Sequence, residues 1–233
     1  MTDGHKEMLP MKTRKEEERR QRMGLIVRCA LKCFFHQGLK GATMSGIARE
    51  CRLAKGTLYL YFSGKEDLFA AIVEEGQQLL RGAVDTAIDE ADGDVERKLL
   101  NIADTFCRFS QENREYFRIL MMIDYGLFSS RVHPDKLQRI LGMQQEMYRK
   151  IEDVHREGIR QGIFPAGTDV TMAVRSFWAM LHGGIFLMEK SHQKLPILAD
   201  IDESHFTDDL MHIMIRSLKA GFITHHEENG QQQ

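Results

Sequence analysis

Apolar residues recur every three or four positions along almost the whole chain, and no stretch alternates apolar and polar residues with a period of two. That spacing belongs to amphipathic helices, not to strands. Only 4 of the 233 residues are proline, so few points force a helix to break. The breaks fall at Gly38, at Arg52-Leu53-Ala54, at the ADGD stretch 91–94, at 111–113, at His133-Pro134, at GIFPAGT 162–168 and around Pro196. The pattern predicts helices over 12–37, over the two short segments MSGIAREC and KGTLYLYF, and over 65–92. Further helices are predicted over 94–111, 113–128, 134–161, 168–191 and 204–224. The expected fold class is all-α, with about nine helices and no sheet.

Local signals sharpen several ends. Gly38 closes the first helix. Thr43 is a candidate N-cap for MSGIAREC, and Thr168 for the helix after GIFPAGT. Ser63 with Glu66 three residues later reads as a capping box. In the charged run 12–22, Glu16–Arg20 and Glu18–Arg22 are expected as i,i+4 pairs.

Charge divides the chain where its net value conceals it. The formal charge is −2, yet residues 1–65 hold 14 Lys+Arg against 6 Asp+Glu, and residues 66–233 hold 18 against 28. A basic module that meets a polyanion, joined to an acidic body, accounts for such asymmetry. A composition of 42% hydrophobic and 28% charged residues suits a globular chain with a core. No stretch approaches the roughly 18 to 20 uncharged apolar residues of a membrane span, and the N-terminus has no apolar leader segment. Four cysteines without paired spacing point to reduced thiols and a cytoplasmic setting.

Three short helices in the first 62 residues, the last two joined by a three-residue turn, make a helix-turn-helix pattern. Ile47 and Ala48 must face the first helix. Leu58 and Phe62, four apart, anchor one side of the second short segment and leave Lys55, Gly56, Thr57, Tyr59 and Tyr61 on the other. A helix so presented fits a DNA major groove about 12 Å wide.

The span ALKCFFHQGLKGATMSGIARECRLAKGTLYLYFSGKEDLFAAIV resembles the N-terminal domain of the TetR family of bacterial transcriptional regulators. Ala30, Phe34 or Phe35, Gly38, Thr43, Ile47-Ala48, Gly56-Thr57-Leu58-Tyr59, Phe62, Lys65-Glu66 and Leu68 carry the likeness, in the family's order and spacing. The resemblance implies Lys55, Gly56 and Thr57 at base edges, and Thr43, Ser45, Tyr59, Tyr61 and Lys65 at phosphates. The family's turn commonly reads Gly-Val-Ser; here it is Arg52-Leu53-Ala54. Loss of the glycine predicts a left-handed backbone at Arg52, costing roughly 1 kcal/mol, with Arg52 offered to a phosphate. Loss of the serine removes an N-cap worth about 1 kcal/mol.

The resemblance also implies a DNA-binding domain over 12–65 and an effector and dimerisation domain over 66–225, with disordered ends at 1–11 and 226–233. Candidate ligand residues are Phe106, Phe109, Phe117, Met121, Tyr125, Met147, Trp178 and His182, with Arg108, Arg118, Asp124 and Arg175 as further polar anchors. The 14 methionines suit a hydrophobic or aromatic effector. Candidate dimer-interface residues are Phe177, Gly183, Gly184, Leu210, Met214 and Leu218. The expected partners are therefore a palindromic double-stranded operator, a second copy of the chain and a small effector that releases a repressor. The alternative class is a helical small-molecule-binding or scaffold protein that does not read DNA.

Other chemistries find little support. Cys29, Cys33 and His36 share a helix near Cys51, but Cys29 and Cys33 lie on an apolar stripe where inert thiols are normal. No metal site and no cofactor are expected. No Walker loop, Gly-x-Ser-x-Gly or His-Glu-x-x-His motif is present, and enzymatic activity is not expected.

Overall fold

The computed structural model describes residues 11–121, 131–190 and 205–224. They form helices α1 (Met11–Gly41), α2 (Met44–Glu50), α3 (Lys55–Tyr59), α4 (Lys65–Asp89), α5 (Val95–Glu112), α6 (Arg114–Met121), α7 (Pro134–Arg160), α8 (Val170–Lys190) and α9 (Phe206–Lys219). The only β-type pairing among the described residues is an isolated antiparallel bridge between Thr168 and Thr224. The fold is all-α, as the periodicity predicts. Tyr125, the expected helix beyond Met121, the loop at Pro196 and both chain ends lie outside the described residues.

Two compact units divide the chain, one drawn from Met1–Gly76 and Arg118–Gln138, the other from Gln77–Phe117 and Arg139–Gln233. The division falls beyond the expected 65/66 boundary because the first turns of α4 complete the first unit's core. Leu68, Phe69, Ile72 and Val73 are buried there, and the Phe69 ring meets Phe34 of α1 edge-on, with centroids 5.1 Å apart.

Within the first unit, α1 is interrupted at Gly38, whose φ of 67° is open to glycine without cost. Ile26, Ala30 and Phe34 of α1 bury against Ile47 and Ala48 of α2. Thr43 caps α2 as expected, its Oγ1 accepting from Gly46 N–H at 3.1 Å. Arg52 adopts the predicted left-handed backbone, φ 55°, and Ala54 opens α3 with no side-chain cap.

The start of α4 corrects one expectation. Ser63 N–H and Ser63 Oγ both donate to Asp67 Oδ2, at 2.8 and 3.1 Å. The reciprocal carboxylate is Asp67 instead of Glu66, because the helix begins at Lys65 and Glu66 lies 3.6 Å from Arg131. Burial alone would raise the Asp67 carboxyl; the Lys136 ammonium and the two Ser63 donors outweigh it and hold it below the ordinary carboxylate range.

The second unit is built on α5, α8 and α9, which pack on one another around Phe106, Phe177, Leu181, Met214 and Leu218. Phe164, 1% exposed, lies on the bare backbone of Gly158, where an added Cβ would come 2.4 Å from its ring. Thr168 does not cap α8. Its hydroxyl donates to Pro165 O at 2.7 Å, and Asp169 Oδ1 takes the capping role by accepting from Met172 N–H at 3.0 Å.

Residues 170–188 of α8 also correct the reading of hydropathy: that stretch is long and apolar enough to cross a membrane by length and composition. Its Ala173, Val174, Phe177, Leu181, Gly184 and Ile185 are buried within the second unit, the arrangement of a core helix.

Candidate functional site

In α3 the inward side is closed by Leu58, which is fully buried, and by Phe62 just beyond the helix. On the outward side Lys55 and Gly56 are exposed and Thr57 is half-buried. The Lys55 ammonium lies 5.9 Å from the centroid of Tyr59, a cation–π distance that orders a long side chain without neutralising it. Tyr59 is 48% exposed, so it is no core aromatic. A Cβ placed on Gly56 would meet nothing within 4 Å, so the surface there is open to close approach by a large partner.

Thr43 and Ser45 are exposed at the start of α2, and Arg52 is exposed at the turn. Thr43 keeps its hydroxyl proton while its oxygen caps the helix. Tyr61 is half-buried beneath the Arg19 guanidinium, 5.1 Å from the ring centroid. Arg19 sits 42 positions upstream in a charged run, and no local spacing links it to Tyr61.

Lys65 has a different task from the one expected. Its Nζ donates to the carbonyls of Leu39 at 2.8 Å, Ala42 at 3.1 Å and Lys40 at 3.3 Å. Three protons meet three carbonyls left open where α1 breaks, so the ammonium closes a helix end instead of facing outward.

In the second unit, an aromatic group surrounds Trp178 of α8. Phe106 stands edge-on to it at 4.7 Å, Tyr148 at 5.4 Å, and the His182 ring lies 4.8 Å away. Burial lowers the His182 pKa, which keeps the imidazole neutral. Its Nδ1 is 2.8 Å from Trp178 O; with Nδ1–H donating to that carbonyl, Nε2 holds the free lone pair. The Trp178 indole N–H is buried with no hydrogen-bond partner.

Of the expected ligand residues, the structure brings Phe106, Trp178 and His182 together and adds Tyr148. Phe109, Phe117 and Met147 are buried in the same unit, whereas Met121 is exposed in the first unit. Arg108 pairs with Asp104 at 3.0 Å, and Arg118 lies over Phe35 at 5.1 Å, so neither anchors this cluster. Arg175 is exposed, and Asp124 lies outside the described residues. A separate groove of about 460 Å³ is lined by Asp85, Asp89, Lys98, Lys150, Asp153 and Glu157 among others. Lys98 pairs there with Glu157 at 2.6 Å, and Lys150 with Asp85. It is polar and largely self-neutralised.

The expected dimer face also needs correction. Phe177, Met214 and Leu218 are buried inside the unit, and a Cβ on Gly184 would lie 2.9 Å from Leu210 Cδ1. Phe177, Gly184, Met214 and Leu218 face the protomer's own interior, while Leu210 is half-buried where it meets Gly184. Gly183 alone of the set is exposed, with nothing within 4 Å of an added Cβ. Met172, Arg175, Ala179, Gly183 and Phe186 share its outward stripe at helical spacing, and Phe186 is 58% exposed.

Burial raises the thiols of Cys33 and Cys51 above the ordinary range, so both stay protonated and are poor nucleophiles. Among the described residues no three His, Cys, Asp or Glu side chains converge to hold a metal ion.

Residues 26–72 match the family model for bacterial regulatory proteins of the tetR family. The HTH-type transcriptional regulator SrpR of Pseudomonas putida is 27% identical over 173 residues, 73% of this chain and 75% of that protein. FadR from Bacillus subtilis, solved in complex with stearoyl-CoA, superimposes with a TM-score of 0.62 at 19% identity, over 82% of this chain and 96% of that one. AibR, solved in complex with isovaleryl coenzyme A and operator DNA, gives a TM-score of 0.65 at 19% identity, over 82% and 97%. At such identities these two structures speak to the fold.

Proposed function

The chain belongs to the tetR family of bacterial regulators, and on that premise we propose that it is a homodimeric repressor that binds a palindromic operator and releases it when an apolar effector binds. The observation that carries the DNA-binding half is the outward side of α3, where Lys55 and Gly56 are exposed and Thr57 is half-buried beside a core sealed by Leu58 and Phe62. Lys55 donates to guanine O6 or N7, the Thr57 methyl meets a thymine methyl, and Gly56 lets the backbone close on the groove. Thr43, Ser45, Arg52, Tyr59 and Tyr61 serve the phosphates. One such helix reads only a few base pairs; a two-fold dimer doubles the site. The stripe Met172, Ala179, Gly183, Phe186 on α8 supplies the contact with the second copy, since its small residues permit close approach.

The effector sits against Trp178. An acyl chain matches Phe106 and Tyr148, and a thioester or carboxyl oxygen matches the unpartnered indole N–H. The acyl-coenzyme A complexes of FadR and AibR make acyl thioesters the first class to try. An effector shifts the DNA-bound population only by its differential affinity for the two states.

The test uses duplexes selected by the protein from a random pool, with binding followed by anisotropy against salt. A steep negative log–log slope and release by acyl-coenzyme A support the reading. Failure to enrich any duplex overturns it. The sole tryptophan makes its emission a direct report of effector binding in the same samples.

A further inference from the structure

The family match begins at residue 26, but α1 begins at Met11, and the first half of that helix has a directed charge pattern. Ile26, Ala30 and Cys33 form the buried stripe by which α1 joins the helix-turn-helix core. Carried towards the N-terminus in the same steps of three and four, that stripe passes through Arg22, Arg19 and Lys15, all exposed. The run's ion pairs lie on other faces. Arg14 pairs with Glu18 at 3.2 Å, Arg20 pairs with Glu17, and Gln21 donates to Glu17 at 3.1 Å. The expected pairs Glu16–Arg20 and Glu18–Arg22 are thereby replaced, and Arg22 and Lys15 have no carboxylate partner among the described residues. Glu16 and Glu18 border the stripe, Glu18 being held by Arg14, and temper three cations without cancelling them.

Arg19 fixes where the stripe points, since its guanidinium rests on Tyr61, two residues after α3. One helix face is thus apolar where protein covers it and cationic where protein ends, on the side of the reading helix. A face of that kind calls for a polyanion. We propose that Lys15, Arg19 and Arg22 form a basic arm that holds DNA phosphates flanking each half-site, extending the footprint beyond the bases that α3 reads. This rests on the DNA-binding reading above.

Two duplexes separate the two ideas: a selected duplex carrying about ten extra base pairs on each side, and the same duplex trimmed to its half-sites. The wild type is expected to bind the long duplex roughly tenfold more tightly at low salt, because each added phosphate contact releases counterions. The double variant Lys15→Ala/Arg22→Ala, which leaves Arg19 on Tyr61, should lose that advantage. Its salt slope on the long duplex should be shallower by about two units, with unchanged affinity for the trimmed one and an unchanged melting curve. Equal wild-type affinity for both duplexes, or an unchanged slope in the variant, overturns the arm while leaving the reading helix intact. Failure of the wild type to bind either duplex overturns both.

Discussion

Lys65 Nζ lies 2.8 Å from the carbonyl oxygen of Leu39, 26 residues upstream, and bonds two more carbonyls of the same turn. Gly38 breaks α1 just before them, which leaves those oxygens without helical partners. A cation at the first residue of α4 is unfavourable to that helix's dipole by some tenths of a kcal/mol. Three charge-assisted hydrogen bonds outweigh that cost.

Replacing Lys65 with Met keeps the stem and removes the ammonium. Unfolding by urea should show a loss of about 1–3 kcal/mol, while the base preference recovered by duplex selection stays the same. An unchanged midpoint with a flattened salt slope would return Lys65 to the phosphates.

Lys55→Ala acts on recognition instead of stability. Operator affinity should fall by about 1–3 kcal/mol, with relaxed preference at one base position in each half-site. Selection with the variant checks this, and an unchanged preference removes Lys55 from the reading set.

The neighbouring glycines of α8 should separate cleanly. Gly184→Ala forces Leu210 aside, an overpacking cost of roughly 1–3 kcal/mol that the better helix propensity of alanine offsets by about 1 kcal/mol, so a small net destabilisation of the protomer is expected. Gly183→Glu meets no atom of its own protomer, so the melting curve should hold while sedimentation shows a monomer. A dimeric Gly183→Glu would move the interface elsewhere.

Acid should weaken the second unit. His155 is fully buried between Phe164 and Phe177, and burial lowers its pKa from 6.5; His182 is lowered for the same reason. Unfolded, each imidazole takes up a proton near pH 6.5, while folded it resists until lower pH. Stability is therefore complete above that value and declines as pH falls below it. A His155→Leu variant should show a smaller drop in urea midpoint between pH 7 and pH 5. An equal drop would clear His155 of the effect.

What the sequence disclosed was mostly local. Gly38, Thr43 and Arg52 each carry a backbone demand legible within a few residues, and each is met. The capping role at Asp169 instead of Thr168, and at Asp67 instead of Glu66, turns on one-residue shifts of a helix start that periodicity does not resolve. Which side of α8 faces outward was hidden for another reason. α8 is apolar nearly all round, so its pattern could not tell the stripe that meets α9 from the one that faces outward. Long side chains hid the rest: Lys65 reaches back 26 residues, and Arg19 reaches forward 42 to Tyr61.

Gly183 and Gly184 are adjacent, yet one is open to solvent and the other is pressed against Leu210. Successive residues on a helix stand about 100° apart, so the pair fixes the rotational setting of α8 from both sides. Many point changes along that helix can be absorbed by a rotamer. A single deleted residue between 170 and 183 cannot, because it would turn Gly184 away from Leu210 and bring the Ile185 side chain into its place. The helix should therefore vary in spelling among working copies of this protein, and hardly ever be shorter.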